Sequence, residues 1–257
     1  MILCIDIGNT STHWGLVEES GPLRSGGWPT PEMGVHLPIL LGNLDRHDPV
    51  PMGISFCSVV PQATTVLNSV LAVAQCSWPC HQLTWKSPHG LELLVDVPSE
   101  VGADRIAVAV AAHKLFPLPA MVVDMGTAVT VDAVTQNGYA GGIIAPGLSL
   151  MTEYLHTRTA LLPELDPRDL EISHGLGRNT LDQMKIGCRV GFAGMVEALV
   201  GAMESTLRDQ GIPPRSLIAT GGSAPLLSPA LRDRMIVEPE LLLRGLHEVW
   251  RRSQATR

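Results

Sequence analysis

The sequence predicts an α/β protein built from two similar halves, and three observations carry this prediction. An apolar run that ends in Asp-x-Gly occurs at Asp6 and Gly8, and again 118 positions later at Asp124 and Gly126. Patterns typical of strands and helices alternate along the chain, which favours layered α/β packing. Hydrophobic residues make up 45% and charged residues 17% of the 257 residues, so the chain can bury a sizeable core.

Each half is predicted to open with a three-stranded meander. The strands of the first are predicted at residues 2–6, 10–18 and about 23–28, and those of the second at 121–124, 127–134 and 139–144. Asn137-Gly138 supplies a hairpin signal in the second copy. The same shift of 118 positions superposes Thr12 on Thr130. We therefore predict a duplicated hairpin whose tight turn carries an aspartate.

Three helices are predicted in the first half, where apolar residues recur at helical spacing. The first covers residues 34–46, with Pro38 in its first turn. The second covers residues 62–74 and carries Val66, Val70 and Val73 at helical spacing, after a short strand at 53–59. Residues 85–98 are predicted to be a loop, after which Ser99 is the expected N-cap of a helix that ends near residue 116.

The second half is predicted to begin after a proline-rich boundary at residues 117–119, which gives halves at 1–117 and 118–257. Helices are expected up to about residue 156, over 178–210 as one helix or two, and over 240–251. Residues 163–178 are rich in Pro, Asp and Gly and predict an exposed loop. A strand at 216–220 ends in Gly221-Gly222, where an adenosine could lie against bare backbone.

Composition disfavours several functions. The formal net charge is -7, only three lysines occur, and no basic run is present, so nucleic-acid binding is not expected. No charged leader precedes the first strand, and no apolar run approaches about 18 residues without a charge or turn former, so neither a signal peptide nor a membrane span is expected. The five cysteines predict reduced, buried thiols of a cytoplasmic protein, and Cys76, Cys80 and His81 lack the second half of a metal site.

The repeated Asp-x-Gly turn suits a phosphate site. Glycine lets the backbone approach the phosphates, and neighbouring N–H groups point at anionic oxygens. An aspartate there must act through a cation or water, because direct contact with phosphate is repulsive. A single such turn is as consistent with an ordinary turn; two copies favour the functional interpretation. No Gly-x-x-x-x-Gly-Lys-Ser/Thr, Gly-x-Gly-x-x-Gly, Gly-x-Ser-x-Gly or His-Glu-x-x-His motif occurs.

Five motifs together resemble the type III pantothenate kinases, which belong to the actin-like, sugar-kinase and heat-shock ATPase superfold. They are, in order, residues 6–10 (DIGNT), 102–105 (GADR), 124–127 (DMGT), 141–147 (GGIIAPG) and 159–163 (TALLP). The resemblance runs from residue 2 to about residue 225. It implies two actin-like (ribonuclease H-like) halves with an active-site cleft between them, and a homodimer. It also implies phosphorylation of pantothenate by ATP with Mg²⁺, the first step toward coenzyme A, assisted by K⁺ or NH4⁺.

The resemblance also implies the roles of particular residues. Asp104 would be the catalytic base, Asp124 would hold the monovalent cation, and Asp6 would reach Mg²⁺ through water. The ATP-binding residues would be Asp6, Ile7, Gly8, Asn9, Thr10, Ser11, Thr12, His13 and Thr127. The substrate-binding residues would be Gly102, Ala103, Asp104, Arg105 and, at a dimer interface, Thr180.

Physical chemistry agrees with Asp104 as the base. An aspartate with an ordinary pKa near ~3.9 is a weak base. Phosphoryl transfer passes through a loose transition state, so the attacking hydroxyl need not be deprotonated in advance. Arg105 can hold an anionic group of the substrate or phosphate. Without the other motifs, Asp104 and Arg105 would be an exposed first-turn pair of little consequence.

One departure and two alternatives remain open. Where the family often carries an aromatic residue and an asparagine before a proline, this chain has Val95 and Val97 before Pro98. This difference bears on closure of the pantothenate pocket and keeps open a kinase of the same superfold for another small alcohol or sugar. The second alternative is a non-enzymatic transcriptional accessory factor, a label also used within the family.

Overall fold

The computed structural model describes residues 1–46, 50–171 and 175–255. Contacts divide the chain into two compact units. Unit 1 comprises residues 1–116, 137–140 and 240–257, and unit 2 comprises residues 117–136 and 141–239. The boundary predicted between the halves 1–117 and 118–257 separates the strands of one sheet from those of the other. The division of the chain into these two domains stays a prediction.

The described residues form ten strands and seven helices, numbered in chain order. The strands are β1 Ile2–Ile7, β2 Ser11–Glu18, β3 Gly21–Pro29, β4 Ile54–Ser58, β5 Cys80–Gln82, β6 Ala120–Met125, β7 Ala128–Thr135, β8 Gly138–Pro146, β9 Ser216–Thr220 and β10 Ile236–Val237. The helices are α1 Met33–Leu44, α2 Pro61–Val73, α3 Ala103–Leu115, α4 Leu148–Thr157, α5 Thr180–Asp209, α6 Pro229–Arg232 and α7 Leu241–Ala255.

The strands form two five-stranded sheets of matching order. The first runs β3-β2-β1-β4-β5 and the second β10-β9-β6-β7-β8. In both, the central strand is antiparallel to the following strand and parallel to a later one. β1 and β6 are almost fully buried, as their apolar sequences require. The predicted α/β class with two similar halves is confirmed.

Unit 1 has its own hydrophobic core, in which residues of the first sheet pack with α1 and α2. On α3, every residue from Ile106 to Ala112 is buried. A Cβ built on Gly245 of α7 would lie only 1.9 Å from the carbonyl oxygen of Ala107, so α7 approaches α3 at a glycine. α7 also contacts β1, β2 and β4. The C-terminal helix therefore completes the core that carries the first turn.

Two helix predictions in unit 1 were wrong in detail. Ser99 is not the N-cap of α3, because Pro98 starts a separate 3-10 turn and Gly102 occupies the cap position. Pro38 lies inside α1 rather than in its first turn. Both Pro38 and Gly34, four residues earlier, are exposed, so water can satisfy the carbonyl that Pro38 leaves without an N–H partner.

Two features of burial in unit 1 were not predicted, namely the core face of α2 and the exposure of Cys80. The buried residues of α2 are Ala63 and Leu67, and Val70 packs against the same core, whereas Val73 is 85% exposed. Cys80 is exposed because it lies on β5, a short strand at the edge of the sheet. No disulfide joins the cysteines within the described residues, and Cys4, Cys57 and Cys188 are buried as expected.

Unit 2 has a separate core beneath the second sheet, to which one face of α5 contributes from Met184 to Leu207. The predicted segment 178–210 is a single helix of 30 residues. Its N-cap is Asn179, whose side chain accepts a hydrogen bond from the N–H of Asp182 at 2.9 Å. The predicted loop at 163–178 contains no helix or strand at 163–171 or 175–178, and 172–174 lie outside the described residues.

Within the described part of the chain, α5 is the one helix long and apolar enough to cross a membrane by length and composition. Its mean hydropathy reaches 1.4 over 18 residues, of which 28% are buried in this structure. A core helix passes the same test, so this is weak support for a membrane span. Apolar and small residues of α5, among them Gly187, Val190 and Gly191, are exposed.

Candidate functional site

The first Asp-x-Gly turn joins β1 to β2 in unit 1. The N–H of Gly8 donates to the carbonyl of Ser11 at 3.1 Å, which closes the turn. Asp6 is half-buried and pairs with His13 across the hairpin. Asn9 and Thr10 at the tip are exposed. The turn thus presents a backbone segment to solvent on top of a buried strand.

His13 lies against the neighbouring strand β3. A Cβ on Gly27 would come within 3.0 Å of the His13 ring, so glycine is needed for the ring to lie there. Partial desolvation lowers the pKa of His13, and the carboxylate of Glu240 opposes that shift. His13 is therefore neutral near pH 7 and can offer a hydrogen bond but little positive charge.

Cys57 interacts with the carboxylates of both Asp6 and Asp104 in unit 1. On β4 it is the register partner of Asp6, and its Sγ donates a hydrogen bond to Asp6 Oδ1 at 3.3 Å. Burial, reinforced by the negative carboxylates of Asp6 and Asp104, raises the pKa of the Cys57 thiol well above its usual range. The thiol consequently stays protonated and acts as a donor. Unit 1 thus brings Asp104 into the electrostatic environment of the first turn.

Asp104 is the second residue of α3, and the preceding glycine fixes its position. Its Oδ1 accepts a hydrogen bond from the N–H of Arg105 at 2.8 Å. A Cβ on Gly102 would lie 2.4 Å from this same oxygen, so any side chain there would displace the carboxylate. The helix N-terminus favours negative charge at this place. Local structure therefore explains the glycine of the Gly-Ala-Asp-Arg sequence, because a larger residue would displace the Asp104 carboxylate.

Arg105 is positioned over an aromatic ring. Its guanidinium carbon lies 5.7 Å from the centroid of Tyr139, which is 1% exposed. The Tyr139 backbone is held by hydrogen bonds with Glu92 and Leu94, each at 2.8 Å. Gly138 is required beside it, because its φ is +143° and a Cβ would meet the Glu92 carbonyl at 2.1 Å. The half-buried Arg105, next to Asp104 in sequence, therefore rests against the ring of Tyr139.

The second Asp-x-Gly turn joins β6 to β7 in unit 2. Its connection between paired residues is one residue shorter than that of the first turn. Asp124 is opposite Thr130, whereas Asp6 is opposite His13. The superposition of Thr12 on Thr130 therefore fails after the turn, because a one-residue slip moves each side chain to the other face. The shift of 118 positions therefore superposes β1 on β6, but not β2 on β7.

Glycines from two other segments pack against the second turn. Gly221, which follows β9, has φ +89°, and a Cβ there would lie 2.6 Å from Asp124 Oδ1. The N–H of Gly147, before α4, donates to the Thr127 carbonyl at 3.0 Å. A Cβ on Gly147 would meet that carbonyl at 2.2 Å. Unit 2 therefore brings together Asp124, Thr127 and the glycine pair predicted to face adenosine.

Thr180 is the remaining predicted substrate contact. It is the first residue of α5 in unit 2 and is exposed. The roles assigned to it and to the other site residues stay predictions.

The carboxylates of Asp6 and Asp124 are suited to cations that a bound ligand also coordinates. No group of three or more His, Cys, Asp or Glu that could hold a metal occurs among the described residues. Mg²⁺ that arrives with a nucleotide commonly keeps several waters and uses only one or two carboxylates. Asp6 and Asp124 supply one carboxylate in each turn, so the donor set is compatible with such shared cations.

Comparison with known proteins identifies the family. Residues 2–202 match the family model described as type III pantothenate kinase. The chain is a member of the type III pantothenate kinase family. Proteins with that name include one from Rhodococcus erythropolis, 36% identical with 100% of this chain and 97% of the relative covered. Another, from Rhodospirillum rubrum, is 36% identical with 99% of each chain covered.

Solved structures show the same fold at low sequence identity. A structure named for the Baf family of transcriptional activators, from Campylobacter jejuni, aligns with TM-score 0.59 and 18% identity over 99% of this chain and 100% of that one. Component A of (R)-2-hydroxyglutaryl-CoA dehydratase from Acidaminococcus fermentans aligns with TM-score 0.57 and 16% identity over 100% and 99%. These likenesses support the actin-like fold predicted from the two turns.

Sequence reasoning missed three residues that shape the site of unit 1. They are Thr30, Cys57 and Tyr139. Cys57 follows from the register of β4 beside β1, which no motif in the sequence specifies. Tyr139 belongs by sequence to the second meander, yet its contacts group it with unit 1. Such long-range pairings leave no local signal.

Proposed function

We propose that this protein transfers the γ-phosphoryl group of ATP to the primary hydroxyl of pantothenate, which gives 4'-phosphopantothenate for coenzyme A synthesis. The observation that carries the proposal is the placement of Asp104 at the N-terminus of α3, in the electrostatic environment of the Asp6 turn. Membership of the family supports the choice of substrate. Asp6, Asn9 and their neighbours, together with Thr127, are the residues that we propose to bind ATP.

In this mechanism Asp104 orients the hydroxyl and accepts its proton late in the transfer. The hydrogen bond from the Arg105 N–H holds the carboxylate in one orientation before substrate arrives. Such positioning supplies much of the rate enhancement in phosphoryl transfer. Arg105, held over Tyr139, would bind an anionic group of pantothenate or phosphate.

Cations complete the proposed chemistry. Mg²⁺ bound with ATP, and K⁺ or NH4⁺ near Asp124, would neutralise phosphate charge as the transition state forms. Activity should then be higher in potassium or ammonium than in sodium chloride at equal ionic strength. Equal rates in all three salts would remove the monovalent site from the proposal.

We also propose that the protein is a cytoplasmic homodimer, and the outward face of α5 supports the dimer. Gly187, Gly191 and Gly194 are exposed at helical spacing, with no heavy atom within 4 Å of an added Cβ. Val190 beside them is 63% exposed. Small residues let a second helix approach closely, and Thr180 begins the same helix. Sedimentation of a monomer at micromolar concentration would contradict this proposal.

The direct test is incubation of the protein with ATP, Mg²⁺, K⁺ and pantothenate, followed by mass spectrometry for phosphopantothenate. Asp104→Asn should keep the fold and lower kcat at least about 100-fold, because general acid–base groups contribute about that much or more. Glu100→Gln, an exposed acid just before α3, is the matched control and should keep its activity. Full activity of Asp104→Asn would remove Asp104 as the base.

Two alternatives are separated by simple assays. A panel of small alcohols and sugars tests for a kinase with another substrate. A gel-shift assay at physiological salt tests for a transcriptional accessory factor, which the net charge of -7 disfavours.

A further inference from the structure

A buried pair of hydroxyl groups lies behind the first turn. Thr30 follows β3, well outside the turn in sequence, yet its Oγ1 donates to the carbonyl of Gly8 at 2.7 Å. The Oγ1 atoms of Thr12 and Thr30 are 3.1 Å apart, and the Thr30 N–H donates to the Thr10 carbonyl at 3.0 Å. Thr12 is fully buried and Thr30 is 7% exposed. Thr30 thus contacts every second residue of the turn, namely Gly8, Thr10 and Thr12.

The bond to Gly8 fixes the direction of the next N–H group. A trans peptide is planar, with its C=O and N–H on opposite sides. When the Gly8 carbonyl is held inward by Thr30, the N–H of Asn9 must point outward, at the exposed tip of the turn. The N–H of Gly8 itself already donates to Ser11. Asn9 therefore offers the backbone donor that an anionic oxygen would meet.

The burial of Thr12 agrees with this orientation of the turn. Its side chain is inaccessible to a ligand, and its hydroxyl is bonded to Thr30 instead. The turn therefore has an inner side, where the Thr30 hydroxyl binds its backbone, and an outer side, to which the Asn9 N–H points.

We propose that Thr30 is a positioning residue for nucleotide binding, whose hydroxyl holds the Gly8–Asn9 peptide so that the Asn9 N–H faces a phosphate of ATP. This proposal rests on the proposed role of the first turn in binding ATP. It concerns ATP affinity, while proton transfer by Asp104 is unaffected. A purely structural role would instead lower stability without a selective effect on ATP.

The test compares Thr30→Val, which keeps the shape of the side chain and removes the hydroxyl, with Thr30→Ser, which keeps the hydroxyl. Affinity for ATP is measured by calorimetry, alongside KM for ATP and for pantothenate, kcat and the unfolding midpoint. We expect Thr30→Val to weaken ATP binding and raise KM for ATP about 10-fold, the effect of one misdirected hydrogen bond. KM for pantothenate should change less than about 2-fold, and Thr30→Ser should bind ATP like the wild type.

Ser216→Ala is the control, because it removes a buried hydroxyl of unit 2 that donates to the Pro117 carbonyl at 2.8 Å. It should lower stability without changing ATP affinity. If valine prevents folding, Thr30→Ala against Thr30→Ser gives the same comparison, since both lack the methyl group and only serine keeps the hydroxyl.

Wild-type ATP affinity in Thr30→Val, or equal losses in the valine and serine variants, would overturn the proposal. Calorimetry separates this result from failure of the proposed function. A wild-type protein that binds ATP but does not phosphorylate pantothenate contradicts the substrate, while the Thr30 comparison still applies. A wild-type protein that does not bind ATP contradicts both.

Discussion

The close approach of α7 to α3 makes Gly245 a sensitive position. A Cβ at this residue would lie 1.9 Å from the carbonyl oxygen and 2.6 Å from the carbonyl carbon of Ala107. Ordinary contact of a carbon with an oxygen needs more than 3 Å, so Gly245→Ala must push the two helices apart by roughly 1 Å. α3 carries Asp104 at its N-terminus, and the displacement would reach the site as well as the core.

The expected loss of stability follows from two opposing terms. Overpacking of a well-packed core costs about 1–3 kcal/mol, and replacing a helical glycine by alanine returns about 1 kcal/mol. We expect a net loss of up to about 2 kcal/mol. For a chain of this size that corresponds to a fall of up to about 8 °C in the unfolding midpoint.

Gly42→Ala is the matched control, since it adds the same methyl group to an exposed glycine of α1 with no heavy atom within 4 Å. It should raise stability by about 0.5–1 kcal/mol. Thermal and urea unfolding, followed by circular dichroism, would measure both variants. A Gly245→Ala protein as stable as Gly42→Ala would refute the inferred helix contact.

Two further predictions concern charge and the second turn. Burial acts to raise the pKa of Glu248, but hydrogen bonds from Arg251 and the following arginine outweigh it and lower that pKa to about 2, from an ordinary value of 4.5. The ionised Glu248 therefore stabilises the folded state fully above pH 4.5, and this stabilisation is lost as the pH falls toward 2. Glu248→Gln should lower the free energy of unfolding by about 2 kcal/mol at pH 7 and by almost nothing near pH 2, as measured by urea unfolding. This figure is discounted because the side chain of Arg251 is 53% exposed; an equal loss at both pH values would contradict it. Gly147→Ala should break the bond to the Thr127 carbonyl and lower kcat/KM for ATP about 10-fold or more, whereas Gly201→Ala, with open space around it, should not; unchanged kinetics of Gly147→Ala would show that the second turn tolerates displacement.

Local sequence signals predicted most of the regular structure. Apolar patterns specified both meanders, and the Asn-Gly pair marked a hairpin in the second, because strand burial and turn chemistry are local properties. Short edge strands were missed, since β5 and β10 have three and two residues and almost no burial pattern. The N-cap of α3 was misplaced because Ser99 is a good cap residue in isolation, while Pro98 directs it into a 3-10 turn.

The candidate site was predictable only where its residues stand in motifs. Asp6, Asp104 and Asp124 were identified by their sequence contexts. The residues that pack against the two turns come from distant segments: Cys57 from β4, Gly221 after β9, and Thr30 after β3. Strand register decides these contacts, and a single-residue slip, such as the one between the two turns, is invisible to a repeat found by shifting the sequence.

The place of α7 in the chain has a consequence for biosynthesis. Residues 240–257 belong to unit 1, while the whole of unit 2 lies before them in sequence. During translation, unit 2 is complete when β1 and α3 still lack the helix that covers them. Contacts between β1 and α7 span almost the entire chain, and closing so long a loop is slow. We expect unit 2 to fold first, with the apolar surface of the N-terminal sheet exposed to chaperones until α7 emerges from the ribosome.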